Sequence, residues 1–124
     1  MGLDQTAFRI KAKPSSQVDF DFLEEPDVIQ KWRKHPNLEG WMEQLYYEKG
    51  GKNPSFNCCY LQLKWEDILE LQKTIESGAL PKTSGFFFGE SSSSPIEKER
   101  DLNFIQSAKE ALAEGDCVVY TSWW

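Results

Sequence analysis

The densest set of chemically capable side chains is Trp32-Arg33-Lys34-His35, just before Pro36. Arg33 offers a planar fork for a carboxylate or phosphate, Lys34 a point charge, and His35 a ring that titrates near neutral pH. Together they could form an anion site. The plain alternative is a solvated helix end whose basic residues complement the C-terminal dipole. A second group flanks a run of phenylalanines, as Thr83-Ser84-Gly85 before it and Gly89-Glu90-Ser91 after it. Hydroxyls and glycines at strand ends can bring backbone N–H groups close to a phosphate, though ordinary turns have the same composition. No phosphate-loop lysine, dinucleotide fingerprint or Gly-x-Ser-x-Gly elbow accompanies them.

Metal chemistry finds little support. His35 is the single histidine, and of the three cysteines Cys58 and Cys59 are adjacent, a spacing suited to neither a loop-closing disulfide nor a zinc knuckle. All three cysteines read as small buried hydrophobes. Asp19, Asp21, Glu24 and Glu25 lack the spacing of a calcium loop and read as a solvated face. A nucleophilic triad would need His35 as its base, and no spacing singles out a partner. We therefore expect no metal and no cofactor.

These residues have to be positioned by one domain spanning 1–124, since 124 residues suffice for one core. Phe8, Ile10 and Ala12 alternate with Arg9, Lys11 and Lys13, predicting a strand with one wet face. Met1–Thr6 fits the loose N-myristoylation pattern, but it adjoins that strand and we give it no weight. Pro26 stands where a first helical residue would, and Val28, Ile29 and Trp32 share a helical face, predicting a helix that breaks before Pro36. Leu38, Trp41, Met42, Leu45 and Tyr46 then predict a second helix ending at Gly50-Gly51, with Trp41, Met42 and Leu45 largely buried. Cys59–Leu63 alternates as a strand, followed by a helix carrying Trp65, Ile68, Leu69, Gln72 and Ile75 on one face and capped by Gly78. Gly85–Gly89 reads as a short buried strand. Ser94-Pro95-Ile96-Glu97 fits a capping box opening a helix with Leu102, Ile105, Ala108 and Leu112, and Cys117–Trp123 is a final strand. The expected fold class is α+β, with one small mixed sheet of three to five strands and about four helices mainly on one face.

Charge and composition narrow the partners. A net charge of −6 with scattered basic residues argues against sequence-independent nucleic-acid binding. No apolar run approaches a membrane span, and no secretory pattern opens the chain. The aromatic share of 14% suits either a well-filled core or an anchoring surface.

Several segments together resemble a group of small tailed-phage proteins without an established activity. They are Met1-Gly2-Leu3-Asp4, Trp32-Arg33-Lys34-His35 with Gly40-Trp41, the stretch from Leu80-Pro81 through Gly85-Phe86-Phe87-Phe88-Gly89, and Tyr120-Thr121-Ser122-Trp123. Members of that group often carry a histidine where this chain has Glu39. The resemblance implies a phage accessory protein in the host cytoplasm, binding a host protein or a small anionic ligand. The alternative is a small enzyme acting on a phosphorylated or nucleotide-like substrate. It also implies a shared site drawn from Asp4, Arg33, Lys34, His35, Ser84, Ser122 and Trp123, with Arg33, Lys34 or both near the ends of the Gly85–Gly89 and C-terminal strands. Ser84 and Ser122 would supply neutral donors and Trp123 a flat wall, unless Asp4 simply pairs with Arg33 and makes the cluster structural.

Overall fold

The computed structural model describes residues 3–11, 13–20, 26–83 and 95–124. Their elements run β1 (Asp4–Ile10), β2 (Asp27–Arg33), α1 (Pro36–Glu48), β3 (Leu61–Leu63), α2 (Trp65–Glu76), α3 (Pro95–Ala113) and β4 (Cys117–Trp123). The four strands form one sheet in the order β2-β1-β4-β3, and every pairing is antiparallel. The fold is α+β as expected, and among the described residues the sheet is antiparallel in place of mixed and the helices number three in place of about four.

The missing helix is β2. Val28, Ile29 and Trp32 do fall on one helical face, but residues 27–33 instead pair along β1, from Asp4↔Arg33 to Arg9↔Asp27. A bulge at Ala7/Phe8 takes up one extra residue of β2. β2 is an edge strand, and only Trp32 of its residues is fully buried, so the alternation that marks a strand is largely hidden. Pro36 does not break a helix; it is the first residue of α1, where its missing N–H costs nothing.

Strand alternation divides the side chains between two faces. On one face Ala7, Trp32, Leu61, Leu63, Val118 and Tyr120 join buried residues of all three helices in a single core. α1 contributes Leu38, Met42 and Tyr46, while Trp41 and Leu45 pack against the core only half-buried. α2 buries Ile68, Leu71 and Ile75; Trp65 and Leu69, expected inside, stay exposed because Leu71 takes the inward position. Glu66 and Asp67 lie in the first turn, Asp67 accepting the Lys64 backbone N–H at 2.9 Å, and Gly78 leaves the helix with φ +68°. α3 buries Phe104, Ile105, Ala108 and Ala111, with Leu102 and Leu112 at the margin.

The other face is half covered. Ile10, Phe20 and Val119 cluster there with Tyr60 and Cys117, because residues 17–19 run beside β3 through a Val18↔Leu61 bridge. β1 therefore differs from the expected wet-faced strand: it begins at Asp4, and Phe8 and Ile10 lie opposite Ala7. Ala12 and the Gly85–Gly89 segment lie outside the described residues. Cys59 is buried and Cys117 half-buried, but Cys58 is exposed, contrary to its reading as core; its left-handed φ of +61° turns the chain toward β3.

Where α1 ends, Gly51 lies against the ring of Tyr46. A Cβ there would come within 2.3–2.5 Å of three ring atoms. The ring cannot give way, since it is fully buried and its hydroxyl donates to Asp19 at 2.7 Å while accepting the Asn53 N–H at 3.1 Å. Gly51→Ala is expected to destabilise the fold by about 1–3 kcal/mol, an overpacking effect readable in urea unfolding.

Candidate functional site

The structure separates the residues that the sequence groups together. Lys34, at φ +55°, is a left-handed residue other than glycine, held by its N–H donating to the Leu3 carbonyl at 2.8 Å. This turn ends β2 and carries the chain under the sheet, so Arg33 and Lys34 stay exposed while His35 is only 2 % exposed. Arg33 lies beside Asp4 with Nε–Oδ1 at 3.8 Å, and both side chains are more than half exposed, at 66 and 57 %. Such a pair adds little stability. Asp4 is also the cross-strand partner of Trp123. Asp4, Arg33 and Trp123 thus form one row on the face away from the helices. Ser122 and His35 point to the helical side, and Ser84 lies outside the described residues.

On the helical side His35 meets two carboxylates of α3 that the sequence reading did not select. Its Nε2 stands 2.9 Å from Asp101 Oδ2, and its Nδ1 lies 3.6 Å from Glu97 Oε1. The other oxygen of Asp101 accepts the Trp32 indole N–H at 2.9 Å. Asp101 is itself buried, so one carboxylate fixes both a strand residue and the residue that caps α1. A signal for it existed: Asp101 precedes Phe104, Ile105 and Ala108 by three, four and seven residues, which places a charge on the apolar stripe of α3.

The Gln5 side chain anchors the His35 backbone from above. Its Oε1 accepts the His35 N–H and its Nε2 donates to the His35 carbonyl, each at 3.0 Å. The same Nε2 reaches the Tyr120 hydroxyl at 3.0 Å. Tyr120 and Ser122 in turn donate to the two oxygens of Glu39, both at 2.7 Å. A hydrogen-bonded chain therefore links His35 through β1 and β4 to a carboxylate with no solvent exposure. Burial pushes the Glu39 carboxyl up to about 7, against the opposing pull of the Tyr120 and Ser122 hydroxyls. Burial and the neighbouring Glu39 likewise raise Tyr120 well above the usual phenol range.

His35, Glu97 and Asp101 form part of the wall of a cavity of about 370 Å³. Asn37 and Lys98 add further polar groups, and Ile75 and Leu80 an apolar side. Residues 80–83 are held there by the Asn37 Oδ1, which accepts the Thr83 N–H at 2.9 Å. Closeness to α1 assists, since a Cβ on Gly40 would sit 2.0 Å from the Thr83 hydroxyl oxygen. The cavity thus lies where the N-terminal turns of α1 and α3 meet the C-terminal end of α2, and it offers charged, neutral and apolar contacts within one half-open cleft. Among the described residues no group of three His, Cys, Asp or Glu is placed to hold a metal ion. No described helix is long and apolar enough to cross a membrane. No family model matches this chain, and neither does any curated protein or solved structure.

Proposed function

We propose that the chain is a binding protein and that its ligand, a small molecule with one anionic group and an apolar remainder, occupies the cavity beside His35. The observation that carries this reading is a buried histidine fixed by Asp101 in the wall of a cavity large enough for a small molecule. Both carboxylates of the wall are engaged within it: Asp101 faces His35 and the Trp32 indole, and Glu97 faces the other ring nitrogen. Lys98 and the first turns of α1 and α3 then favour a negative group, while Ile75 and Leu80 receive the apolar part. The likeness to small tailed-phage proteins supports a phage accessory role in the host cytoplasm, with a host protein as the other partner class.

Titration with butyrate and inorganic phosphate, followed by NMR, tests the proposal. Butyrate is expected to shift the resonances of Asn37, Ile75 and the His35 ring, and Lys98→Ala to weaken it by about fivefold, as for one exposed charge. Shifts confined to residues outside the cavity would refute the assignment.

The Asp101–His35 pair also favours a second reading, an enzyme acting on a phosphorylated or nucleotide-like substrate with His35 as general base. Turnover of a phosphomonoester that vanishes in His35→Gln while binding persists would replace the first reading with this one.

A further inference from the structure

The part of the other sheet face that the described residues leave open holds a second arrangement, independent of the His35 cavity. A groove of about 270 Å³ runs there between Asp4, Thr6, Cys58, Tyr60, Thr121 and Trp123. Trp123 is 68 % exposed, unusual for so large an apolar side chain at the end of a paired strand. Across the sheet from it the register reads Trp123–Asp4–Arg33, and the next row on the same face reads Thr121–Thr6–Lys31. Adjacent strands lie about 4.8 Å apart, so the indole and the guanidinium are rooted about 10 Å from one another with a carboxylate midway. Lys31, Arg33 and Lys34 make this corner cationic in a chain of net charge −6.

We infer that this face binds a mononucleotide, with its base stacked on Trp123, its ribose hydroxyls on Asp4, and its phosphate between Arg33 and Lys31. Each contact follows from ordinary chemistry. An exposed indole stacks on any nucleobase. A carboxylate accepts hydrogen bonds from ribose hydroxyls, as the acidic residue of dinucleotide folds does. A guanidinium grips phosphate through two parallel N–H donors, and Lys31 adds charge. The order of the three groups along the row matches the order base, sugar, phosphate. The Asp4–Arg33 pair does not stand in the way: at 3.8 Å and largely exposed it is loose, and Arg33 can turn to phosphate while Asp4 keeps the sugar. A free nucleotide fits better than a nucleic-acid strand, since the cationic patch spans three residues at one corner while a strand needs a continuing basic track.

NMR titration of the full chain with adenosine 5′-monophosphate, adenosine, inorganic phosphate and a single-stranded oligoadenylate provides the test. The monophosphate is expected to shift the Trp123 indole N–H and the Arg33 side chain, and to bind more tightly than adenosine or phosphate alone. Trp123→Ala should weaken it at least about tenfold. Arg33→Ala should weaken the monophosphate and leave adenosine unchanged. Both side chains are exposed, so neither variant threatens the fold. An unmoved Trp123 indole at millimolar monophosphate overturns the inference. So do shifts confined to the His35 cavity, and so does affinity that rises steeply with oligonucleotide length, which would make the face a strand-binding surface.

Discussion

Glu39→Gln is expected to stabilise the protein above pH 7 and to remove a pH dependence that the native chain carries. Glu39 is fully buried, and the groups that act on it are the Tyr120 and Ser122 hydroxyls, Trp124, and the like charge of Glu43 one turn along α1. No cation is among them, so desolvation prevails and the carboxyl moves from its ordinary 4.5 to about 7. A raised carboxyl binds its proton more tightly in the folded state than in the unfolded one. Stability is therefore full below about pH 4.5 and is lost as pH rises toward 7, opposite in sign to a salt-bridged carboxylate. A shift of this size corresponds to about 3 kcal/mol. The glutamine amide keeps the shape, accepts from one hydroxyl and donates to the other, and carries no charge to desolvate. Urea unfolding at pH 5 and pH 8 checks this: the native protein should weaken between the two while the variant changes far less. Equal pH slopes in both proteins would mean that Glu39 titrates in the folded chain as it does in the unfolded one, its carboxylate hydrated.

Asp101→Ala should produce the largest loss. No buried side-chain nitrogen or oxygen among the described residues lacks a hydrogen-bond partner, and this substitution removes the acceptor for two of them at once. The Trp32 indole N–H and the His35 ring would both be left without that partner in a dry interior. Breaking such a buried polar pair costs about 3–5 kcal/mol, a large part of the 5–15 kcal/mol that holds a typical domain together. Asp101→Asn should cost about half as much, since its carbonyl can still accept from Trp32. Thermal unfolding followed by tryptophan fluorescence would rank the variants. An alanine variant as stable as the native chain would show that His35 is held in place by other contacts.

Legibility from the sequence tracked how much local pattern decides each element. α1, α2, α3 and β4 carry periodic or β-branched runs long enough to predict their type, and Pro36, Gly78 and Pro95 mark their ends. β2 could not be read this way. Its residues fit a helical face, and only pairing with β1, which is remote from the local pattern, makes them a strand. The site followed the same division. His35 stood out by type, and Arg33, Asp4 and Trp123 by their segments. Acidic residues in helices are usually solvated, so residue type alone does not pick out Asp101, and Glu39 enters only as a departure from the phage-protein pattern. Both in fact sit on apolar stripes, Glu39 three residues before Met42 and seven before Tyr46, and that contradiction between residue type and position was the available sign. Which face of the sheet each residue would occupy depended on the left-handed turn at Lys34, and lysine gives no warning of one.

The pairing of β1 with β4 has a consequence for how the chain acquires its structure. Among the described residues these are the two inner strands of the sheet, joining residues 4–10 to residues 117–123, and β3 pairs with the sheet through β4. Contacts so distant in sequence make loop closure expensive and folding slow relative to a helical protein of this size. During synthesis β1 emerges long before β4 exists, and among the described elements the helices are made with just the β1–β2 pair and three residues of β3 to cover. Cooperative folding thus waits on β4, which is made after every other described element. Until then Trp32, Phe104 and Tyr120 share no common core, and the interval before β4 pairs is when this protein is most exposed to aggregation and proteolysis.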